Sequence, residues 1–553
     1  MFKIVTLILA SGVFIFSSCK KNNDDPVTPA TFQYTSSSIN GKPGSITPTD
    51  ISINPVIKIN LSAPVNRTAV PANVTLSEYG FGSQPVNYSY ENNDSTIVLQ
   101  PSGPLKYLSR YIVYLSPELQ SANNIKLNSP VNILFVTSID STNKFPVIPD
   151  DALLTLVQQQ TFNYFWSGGH PVSGMARERN NSGELVTSGG TGFGIMAIPV
   201  AISRSFISRA EGLQRTTQIV DFLKNNCTKY HGAFAHWING STGATIPFSP
   251  NDNGGDLVET SFLMQGLLVA RQYFNTADPA EVTLRNNINA LWDGVEWNWY
   301  RKNAENILYW HWSPSVGWAI NAQVRGWNEA LITYVMAASS RADAIPNIVY
   351  HNGWANNGAI RNNNSYYGYQ LPLGPPNGGP MFFEHYSFLG INPTGLADTY
   401  ANYQVQTTNH AKINYEYCRT NPRNYFGYSE SCWGLTASDI PDNGYNASEP
   451  NNDLGVIAPT AAISSFPYTP VESMRALKFF YYTLGDKLWG PNGFYDAFSL
   501  KDSWFAGSTL AIDQGPMIIM IENYRTGLIW NLFTSCPEVK DGMRNLGFTA
   551  PYL

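Results

Sequence analysis

The chain has 553 residues, of which 43% are hydrophobic and only 13% are charged, so it can build a large core. Its 40 acidic and 34 basic residues give a formal charge of −6, which argues against a nucleic acid or an anionic membrane surface held by basic charge. Aromatic residues, which are counted within the hydrophobic fraction, make up 13%, a content that suits both a well-packed core and the stacking of hydroxyl-rich ligands.

Residues 1–18 have the pattern of a bacterial lipoprotein signal peptide. Lys3 supplies a positive charge, residues 4–16 form an apolar run, and the small-residue segment FSSC ends at Cys19. This segment resembles a lipobox with Phe16 in place of the usual leucine, and it predicts that Cys19 carries a lipid. The alternative is an ordinary secreted protein in which Cys19 has no such role.

Residues 19–31 are mainly polar and contain proline, which predicts a flexible tether. Asp24 and Asp25 resemble the acidic export signal of surface lipoproteins. No later segment offers 18 uncharged apolar residues, so we expect an anchored protein rather than a membrane-embedded one. The expected location is the bacterial outer membrane with surface exposure, and the alternatives are a periplasmic or secreted protein.

Residues 32–140 alternate between apolar and polar side chains with a period of two. The strand-forming runs are 56–61, 74–76, 96–99, 110–115 and 131–136, separated by Asn, Ser, Pro and Gly. Short strands at this spacing predict a β-sandwich. Their order resembles bacterial Ig-like domains, and the segment has no clustered acids of the kind that a catalytic site needs.

Residues 146–553 follow a proline-containing link and change to a helical period. Apolar stripes run through residues 153–166, 262–274, 330–338 and 517–524. Twelve helices with their loops would each take about 34 residues, an arrangement that suits an (α/α)6 barrel. The sequence therefore predicts an all-β Ig-like sandwich followed by an all-α barrel.

Acids in apolar or aromatic sequence are the candidates for cleavage of a glycosidic bond, which needs one proton donor and one carboxylate. Asp256 and Glu259 lie three residues apart at the start of a predicted helix, and Asp252 lies in the loop before it. The same spacing is also that of a helix cap with no catalytic role.

Two further acids begin predicted helices. Glu329 follows Trp327, and its apolar surroundings favour a raised pKa and a general-acid role. A structural ion pair with Arg325 or another cation is the alternative. Asp513 precedes an apolar helix, where it could also serve as an N-terminal cap.

Aromatic loops supply candidate substrate-binding residues, because flat rings with polar tips stack on sugars. These residues are His236, Trp237, Trp310, His311, Trp312, Glu384, Tyr386 and Trp433. The glycine-rich segment 189–194 lacks the spacing and the lysine of phosphate loops, so we interpret it as close backbone packing. No Cys or His spacing typical of zinc is present, and Cys418 with Cys432 is one possible disulfide.

An ordered set of motifs resembles the bacterial glycoamylase-like family, which includes the endo-β-1,2-glucanases of glycoside hydrolase family 144. The motifs are GGTGFG (189–194), HGAFAHW (231–237), GGDLVET (254–260), LYWHWSP (308–314), GWNE (326–329), GGPMFFEHYSFLG (378–390), WGLTASD (433–439), IAPTAAISSFPYTP (457–470), GFYDAFS (493–499) and ENYRTGLIW (522–530). The resemblance covers nearly all of residues 150–553. It implies an (α/α)6 barrel, a β-1,2-glucan substrate, inversion at the anomeric carbon and no metal or organic cofactor.

Matching these motifs gives Glu329, Asp513, Asp256 and Glu259 as catalytic candidates and Asp252 as a substrate-binding candidate. Asp252, Asp256 and Glu259 match the family's acidic motif, Glu329 matches the glutamate of GWNE, and Asp513 lies near a further acidic position. We therefore expect a monomeric, endo-acting β-1,2-glucanase with Glu329 as acid, acting directly or through a substrate hydroxyl. Either Asp513 or Asp256 would be the base. The alternatives are an enzyme for another glucan, such as an α-glucan, and a non-catalytic glycan-binding lipoprotein.

Overall fold

The computed structural model describes residues 31–553. The signal peptide, Cys19 and the tether up to residue 30 therefore lie outside the described residues. The described chain forms two compact units, one of residues 31–105 with 111–135 and the other of residues 106–110 with 136–553. Among these residues, no helix is both long enough and apolar enough to cross a bilayer.

The first unit consists of β-strands in two sheets. The strands are β1 (Tyr34–Ile39), β2 (Lys42–Pro43), β3 (Ile57–Leu61), β4 (Val74–Glu78), β5 (Ser83–Gln84), β6 (Val86–Glu91), β7 (Thr96–Pro101), β8 (Arg110–Leu115) and β9 (Val131–Val136), with a short helix α1 (Val70–Asn73) before β4. One sheet has the order β2-β1-β3-β7-β6, and the other has the order β5-β4-β8-β9. The predicted all-β architecture of this unit is confirmed.

The sequence did not reveal β1 and β6. In β6, half-buried Val86, Tyr88 and Tyr90 alternate with exposed residues, and β1 buries only Ser37 and Ile39, so neither strand has a fully buried apolar face. In β3, by contrast, Ile57, Ile59 and Leu61 all face the core.

The second unit is mainly helical, as predicted. Its helices are α2 (Asp150–Trp166), α3 (Ser188–Ser203), α4 (Arg209–Asn225), α5 (Leu257–Tyr273), α6 (Pro279–Asp293), α7 (Leu331–Ser339), α8 (Tyr403–Thr420), α9 (Pro459–Ile463), α10 (Pro470–Lys478), α11 (Gly485–Leu488), α12 (Ala511–Thr526), α13 (Leu528–Thr534) and α14 (Pro537–Asn545). The predicted apolar stripes lie in α2, α5, α7 and α12. Glu329, which we expected to open a helix, lies in a turn two residues before α7.

Short strands connect these helices. They are β10 (Leu185–Thr187), β11 (Trp237–Asn239), β12 (Thr245–Ile246), β13 (Gly255–Asp256), β14 (His311–Trp312), β15 (Ser365–Tyr366), β16 (Tyr369–Gln370), β17 (Ala437–Ile440), β18 (Gly444–Ala447), β19 (Trp489–Gly490), β20 (Gly493–Phe494), β21 (Phe498–Ser499) and β22 (Trp504–Phe505). The antiparallel pair β13 and β14 sets Asp256 opposite His311.

Four helices form the interior of the second unit. All residues of α7, residues 188–201 of α3 and most of α5 and α12 are buried, as expected for helices that are apolar on every side. Helix α3 packs against α5 and α12, and α5 also packs against α7. Helices α4 and α6 bury only one face.

Glycines bring α3 and α5 into close contact. A Cβ atom at Gly192 would lie 2.2 Å from the carbonyl oxygen of Phe262, and a Cβ at Gly266 would lie 2.2 Å from the carbonyl oxygen of Gly192. Because the obstructing atoms are backbone atoms, they cannot rotate away. The interpretation of segment 189–194 as close backbone packing is thus confirmed.

The four described cysteines after the predicted lipid site are all buried and free. The disulfide between Cys418 and Cys432 that the sequence allowed is therefore not formed. Burial raises the pKa of Cys418 and Cys432 well above that of an exposed thiol, which makes both unreactive.

Substitution at the glycine contact should destabilise the helical unit. Gly192→Ala should lower the free energy of unfolding by at least about 1–3 kcal/mol, the usual cost of overpacking a core. Denaturant unfolding followed by tryptophan fluorescence reports on this unit, because every tryptophan lies after residue 165. Gly507→Ala is the control, since a Cβ there meets nothing within 4 Å. Equal stability of the two variants would contradict the packing argument.

Candidate active site

The predicted acids lie at the N-terminal ends of the interior helices. Asp256 caps α5, because its Oδ1 accepts a hydrogen bond of 2.9 Å from the backbone N–H of Glu259. Glu259 and Asp513 lie in the first turns of α5 and α12. The N–H groups at a helix start carry partial positive charge, which favours carboxylates there. The cap interpretation of Asp256 is confirmed, and the same residue also belongs to a larger cluster.

Two aspartates and two histidines form this cluster, which we call the acid–histidine cluster: Asp252, Asp256, His236 and His311. Oδ2 of Asp256 lies 3.3 Å from Nδ1 of His236 and 3.4 Å from Nε2 of His311. The same Nε2 lies 3.2 Å from Oδ2 of Asp252. Segments that are far apart in the sequence thus meet in one hydrogen-bonded group.

The carboxylates of this cluster favour the positively charged form of both histidines. Burial alone would lower the pKa of His236, but the carboxylates of Glu259, Asp256 and Asp252 outweigh burial and raise it to about 9. The pKa of His311 is raised for the same reason, mainly through Asp256. In return, hydrogen bonds from both histidines overcome the effect of burial and hold the pKa of Asp256 below its usual range.

Glu259 connects the starts of two helices. Its Oε2 accepts a hydrogen bond of 2.9 Å from the backbone N–H of Gly189 in α3, and its Oε1 lies 4.0 Å from Nε2 of His236. A Cβ at Gly189 would lie 2.3 Å from that Oε2, so only glycine leaves room for the bond. Burial raises the pKa of Glu259.

Glu329 lies within electrostatic reach of Glu259 and Asp256. Burial, reinforced by the negative charges of these two neighbours, raises the pKa of Glu329 to about 7. Its backbone carbonyl accepts a hydrogen bond from the hydroxyl of Ser387, which fixes the turn before α7. Near neutral pH this carboxyl can therefore hold a proton and release it.

Asp513 is 3% exposed. Burial, followed by the nearby charge of Asp496, raises its pKa well above the usual range. Its backbone carbonyl accepts a hydrogen bond of 3.0 Å from Thr460 in α9. Tyr386 is buried, and after burial the negative charges of Asp513, Glu329 and Glu259 raise its pKa. Its hydroxyl group therefore lies among the candidate catalytic acids.

A cavity of about 360 Å³ opens beside Glu259. Its lining residues are Glu178, Arg179, Thr187, His236, Trp237, Phe248, Glu259, Tyr445, Leu510 and Ile512. Phe248 and Tyr445 are each 49% exposed, which is unusual for large aromatic side chains. The ring of Phe248 stacks on His236 at a centroid distance of 4.6 Å and also contacts Trp237 at 4.6 Å. The cavity therefore combines carboxylates with accessible aromatic faces, a composition that suits a sugar.

The two predicted tryptophans of segment 308–314 have different surroundings. Trp310 is half-buried, and its ring is nearly parallel to that of His311 at a centroid distance of 5.9 Å. Trp312 instead meets His231 and Trp299 edge-on, at centroid distances of 5.2 and 5.3 Å. Trp312 thus belongs to an aromatic cluster that the described contacts do not connect to the cavity.

Glu384 and Trp433 correct the expectation that both residues contact substrate. Glu384 is fully buried, and its Oε1 accepts hydrogen bonds from Trp327, Gln406 and His410 at 2.8–3.0 Å. Trp433 is fully buried in a separate hydrophobic cluster, where its indole N–H donates to a backbone carbonyl. Both residues stabilise the fold, and sequence alone does not distinguish a buried aromatic or acid from one that lines a cavity.

Sequence reasoning missed four charged residues near Asp513. Arg179 pairs with Glu178 at 2.8 Å and with Asp439 at 3.2 Å, and the backbone N–H of Asp439 donates to Asp496 at 2.6 Å. Asp439 and Asp496 both lie in motifs that carried the family resemblance. An acid within such an aromatic motif was the signal that could have identified them.

Asp252, Asp256 and His311 could also hold a metal ion, because each offers one ligand atom and these atoms lie within 4.8 Å of one another. In the structure, Nε2 of His311 lies 3.2 Å from Oδ2 of Asp252 and 3.4 Å from Oδ2 of Asp256, so the three side chains form an ion-paired group.

Comparison with known proteins assigns the chain to a family. The Glycoamylase family matches residues 321–537, and a bacterial Ig-like domain matches residues 38–137. An endo-β-1,2-glucanase from Chitinophaga pinensis, solved with sophorotriose and glucose, is 50% identical. The match covers 74% of this chain and 100% of that one, with a TM-score of 0.72. A β-1,2-glucanase structure from Parabacteroides distasonis is 38% identical over 94% of this chain and 73% of that one, with a TM-score of 0.71.

A curated relative, the exo β-1,2-glucooligosaccharide sophorohydrolase (non-reducing end) of Parabacteroides distasonis, is 46% identical over 428 residues. The match covers 73% of this chain and 59% of the length of that relative. The chain belongs to the bacterial glycoamylase-like family, which includes endo-β-1,2-glucanases. The Ig-like match falls on the β-strand unit, and the Glycoamylase match falls within the helical unit.

Proposed function

We propose that the protein is an endo-acting glycoside hydrolase that cleaves β-1,2-glucan, with Glu329 as the general acid and Asp513 as the base. The observation that carries the proposal is the half-buried carboxyl of Glu329, whose pKa of about 7 lets it donate a proton near neutral pH. Glu259 and Asp256 lie near enough to act on its charge. The sugar would occupy the adjoining cavity, between the aromatic faces described above.

Asp513 suits the role of base better than Asp256. The two histidines hold Asp256 ionised and lower its pKa, which makes it a weak proton acceptor. Asp513 contacts no such cation, and its raised pKa gives it a greater affinity for a proton. Asp256 would instead orient His236 and His311 toward the hydroxyl groups of the sugar.

The proposal of endo action follows the endo-β-1,2-glucanase from Chitinophaga pinensis, which is 50% identical and matched over its whole length, whereas the exo-acting sophorohydrolase is 46% identical. Family membership also favours inversion at the anomeric carbon. We further propose that the helical unit is an (α/α)6 barrel, with α3, α5, α7 and α12 in its inner ring and α4 and α6 outside.

Replacement of the proposed acid should abolish most of the turnover. Glu329→Gln should lower kcat by about 10²- to 10⁴-fold, the usual contribution of a positioned acid, while binding of oligosaccharide persists. Because only the protonated acid is active, wild-type kcat should fall as the pH rises through about 7. Steady-state rates across the pH range measure both effects. Asp502→Asn, at a half-exposed residue outside the site, is the control. Near-wild-type turnover of Glu329→Gln would remove Glu329 from the mechanism.

The substrate is tested with a panel of purified glucans. Linear β-1,2-glucan should yield short β-1,2-gluco-oligosaccharides of several lengths, initially as the α-anomer, which reports inversion. Soluble starch, β-1,3-glucan and cellulose oligomers should remain intact. Glucose released from starch would identify an α-glucan enzyme, and one product length from the outset would identify exo action. Activity on no glucan would favour a binding protein.

We also propose that Cys19 anchors the protein by a lipid to the outer membrane, with exposure at the cell surface. Support comes from the segment FSSC after an apolar run and from the two acids that follow the cysteine. Cys19→Ala should move the protein from the membrane fraction to the soluble fraction. Unchanged fractionation would contradict the anchor, and protease treatment of intact cells tests exposure separately.

A further inference from the structure

Asp496 is a buried acid to which the proposed mechanism gives no role. It is 2% exposed and lies in the segment GFYDAFS. Its Oδ2 accepts the backbone N–H of Asp439 at 2.6 Å, but its Oδ1 is enclosed and receives no N–H or O–H donor. A buried oxygen without a donor is costly, so its surroundings require an explanation.

Asp513 has the same deficiency. Its Oδ2 is also enclosed without a donor, and the two carboxyl groups lie within hydrogen-bonding reach of each other. Two ionised carboxylates within hydrogen-bonding reach of each other would repel each other strongly. One proton between Oδ2 of Asp513 and Oδ1 of Asp496 satisfies both oxygens and removes the repulsion.

The surroundings decide which partner holds this proton at rest. The negative side chain of Asp439 raises the pKa of both carboxyls. On Asp496 the backbone N–H of Asp439 and the positive charge of Arg179 oppose this effect, whereas Asp513 also faces the negative charge of Glu178. The proton therefore resides on Asp513, and Asp496 is the anion. The other titratable groups that face Asp513 are Tyr164, Tyr386 and Tyr445.

We propose that Asp496 is a positioning residue that acts through Asp513 and receives the proton which the base removes from water. This inference rests on the proposed function and assigns the role of base to a pair of carboxyls rather than to one. Asp513 alone, already protonated on Oδ2, accepts a second proton only if it passes the first one on.

The step balances as a proton relay. The water oxygen attacks the anomeric carbon, and its proton moves to Oδ1 of Asp513. The proton on Oδ2 of Asp513 moves to Oδ1 of Asp496, so both carboxyls become neutral. The glycosidic C–O bond breaks, and its oxygen takes the proton of Glu329, which becomes ionised. Release of one proton from the pair to solvent and uptake of one by Glu329 restore the resting state.

Kinetics of Asp496→Asn test the relay. Without Asp496, Asp513 ionises at neutral pH and acts as a single carboxylate of lower pKa, a weaker proton acceptor, so kcat should fall by about 10²-fold with KM unchanged. Loss of the negative charge at residue 496 should also lower the pKa of Asp513 and move the acidic limb of the pH profile to lower pH. The alkaline limb, which Glu329 sets, should stay in place. Asp502→Asn, the same change in a residue outside the group, should retain the wild-type profile.

Infrared spectroscopy of protein labelled with ¹³C at aspartate tests the shared proton without reference to activity. At neutral pH the wild type should show the carbonyl stretch of a protonated aspartate. The band should vanish in both Asp496→Asn and Asp513→Asn, because either change leaves a single carboxyl that ionises. A band that survives in Asp496→Asn would show that burial alone protonates Asp513, which overturns the pair.

The outcomes separate this inference from the proposed function. Hydrolysis of β-1,2-glucan by the wild type, together with wild-type kcat or an unmoved acidic limb in Asp496→Asn, overturns the relay alone. Absence of hydrolysis removes the proposed function, whereas the infrared band still decides whether the proton is shared. If Asp496→Asn does not fold, the wild type suffices, because absence of a protonated aspartate at neutral pH overturns the inference.

Discussion

The site depends on the close approach of α3 and α5 at Gly192 and Gly266. Contact between the two backbones at this point fixes the distance between the helix starts, so that Glu259 of α5 reaches the N–H of Gly189 in α3. Glu259 in turn raises the pKa of His236 and of Glu329. The backbone contact between α3 and α5 thus helps to set the pKa values of His236 and Glu329, because it holds Glu259 in place.

The electrostatic differences among the acids follow from their partners. All of the acids are buried to some degree, and burial alone would raise every pKa. Asp256 departs from this trend because two histidines donate to it, whereas Glu329 has no cation beside it. One set of buried carboxyls therefore contains both a permanently ionised member and a member that holds a proton near neutral pH. Acid and base chemistry require such a separation.

The sequence predicted contacts between site residues that are neighbours in the chain better than contacts between residues that are far apart in the chain. Asp256 and Glu259 were placed together because they are three residues apart at a helix start, a relation that periodicity fixes. The meeting of Asp256 with His311 depends on the pairing of β13 with β14, which no local pattern reveals. Burial was equally hidden, since Trp433 has the same aromatic, glycine-rich surroundings as residues that line the cavity. Asp496 was missed because it lies between two short strands, whereas its partner Asp513 lies in α12.

The acid–histidine cluster is insensitive to dissolved salt. Its charges are buried and compensate one another within 3.2–3.4 Å, a distance far shorter than the screening length of about 8–10 Å at physiological ionic strength. A neutral sugar polymer, moreover, gains nothing from long-range steering by charge. Dissolved salt therefore has little influence on either the protonation of the cluster or the approach of the proposed glucan.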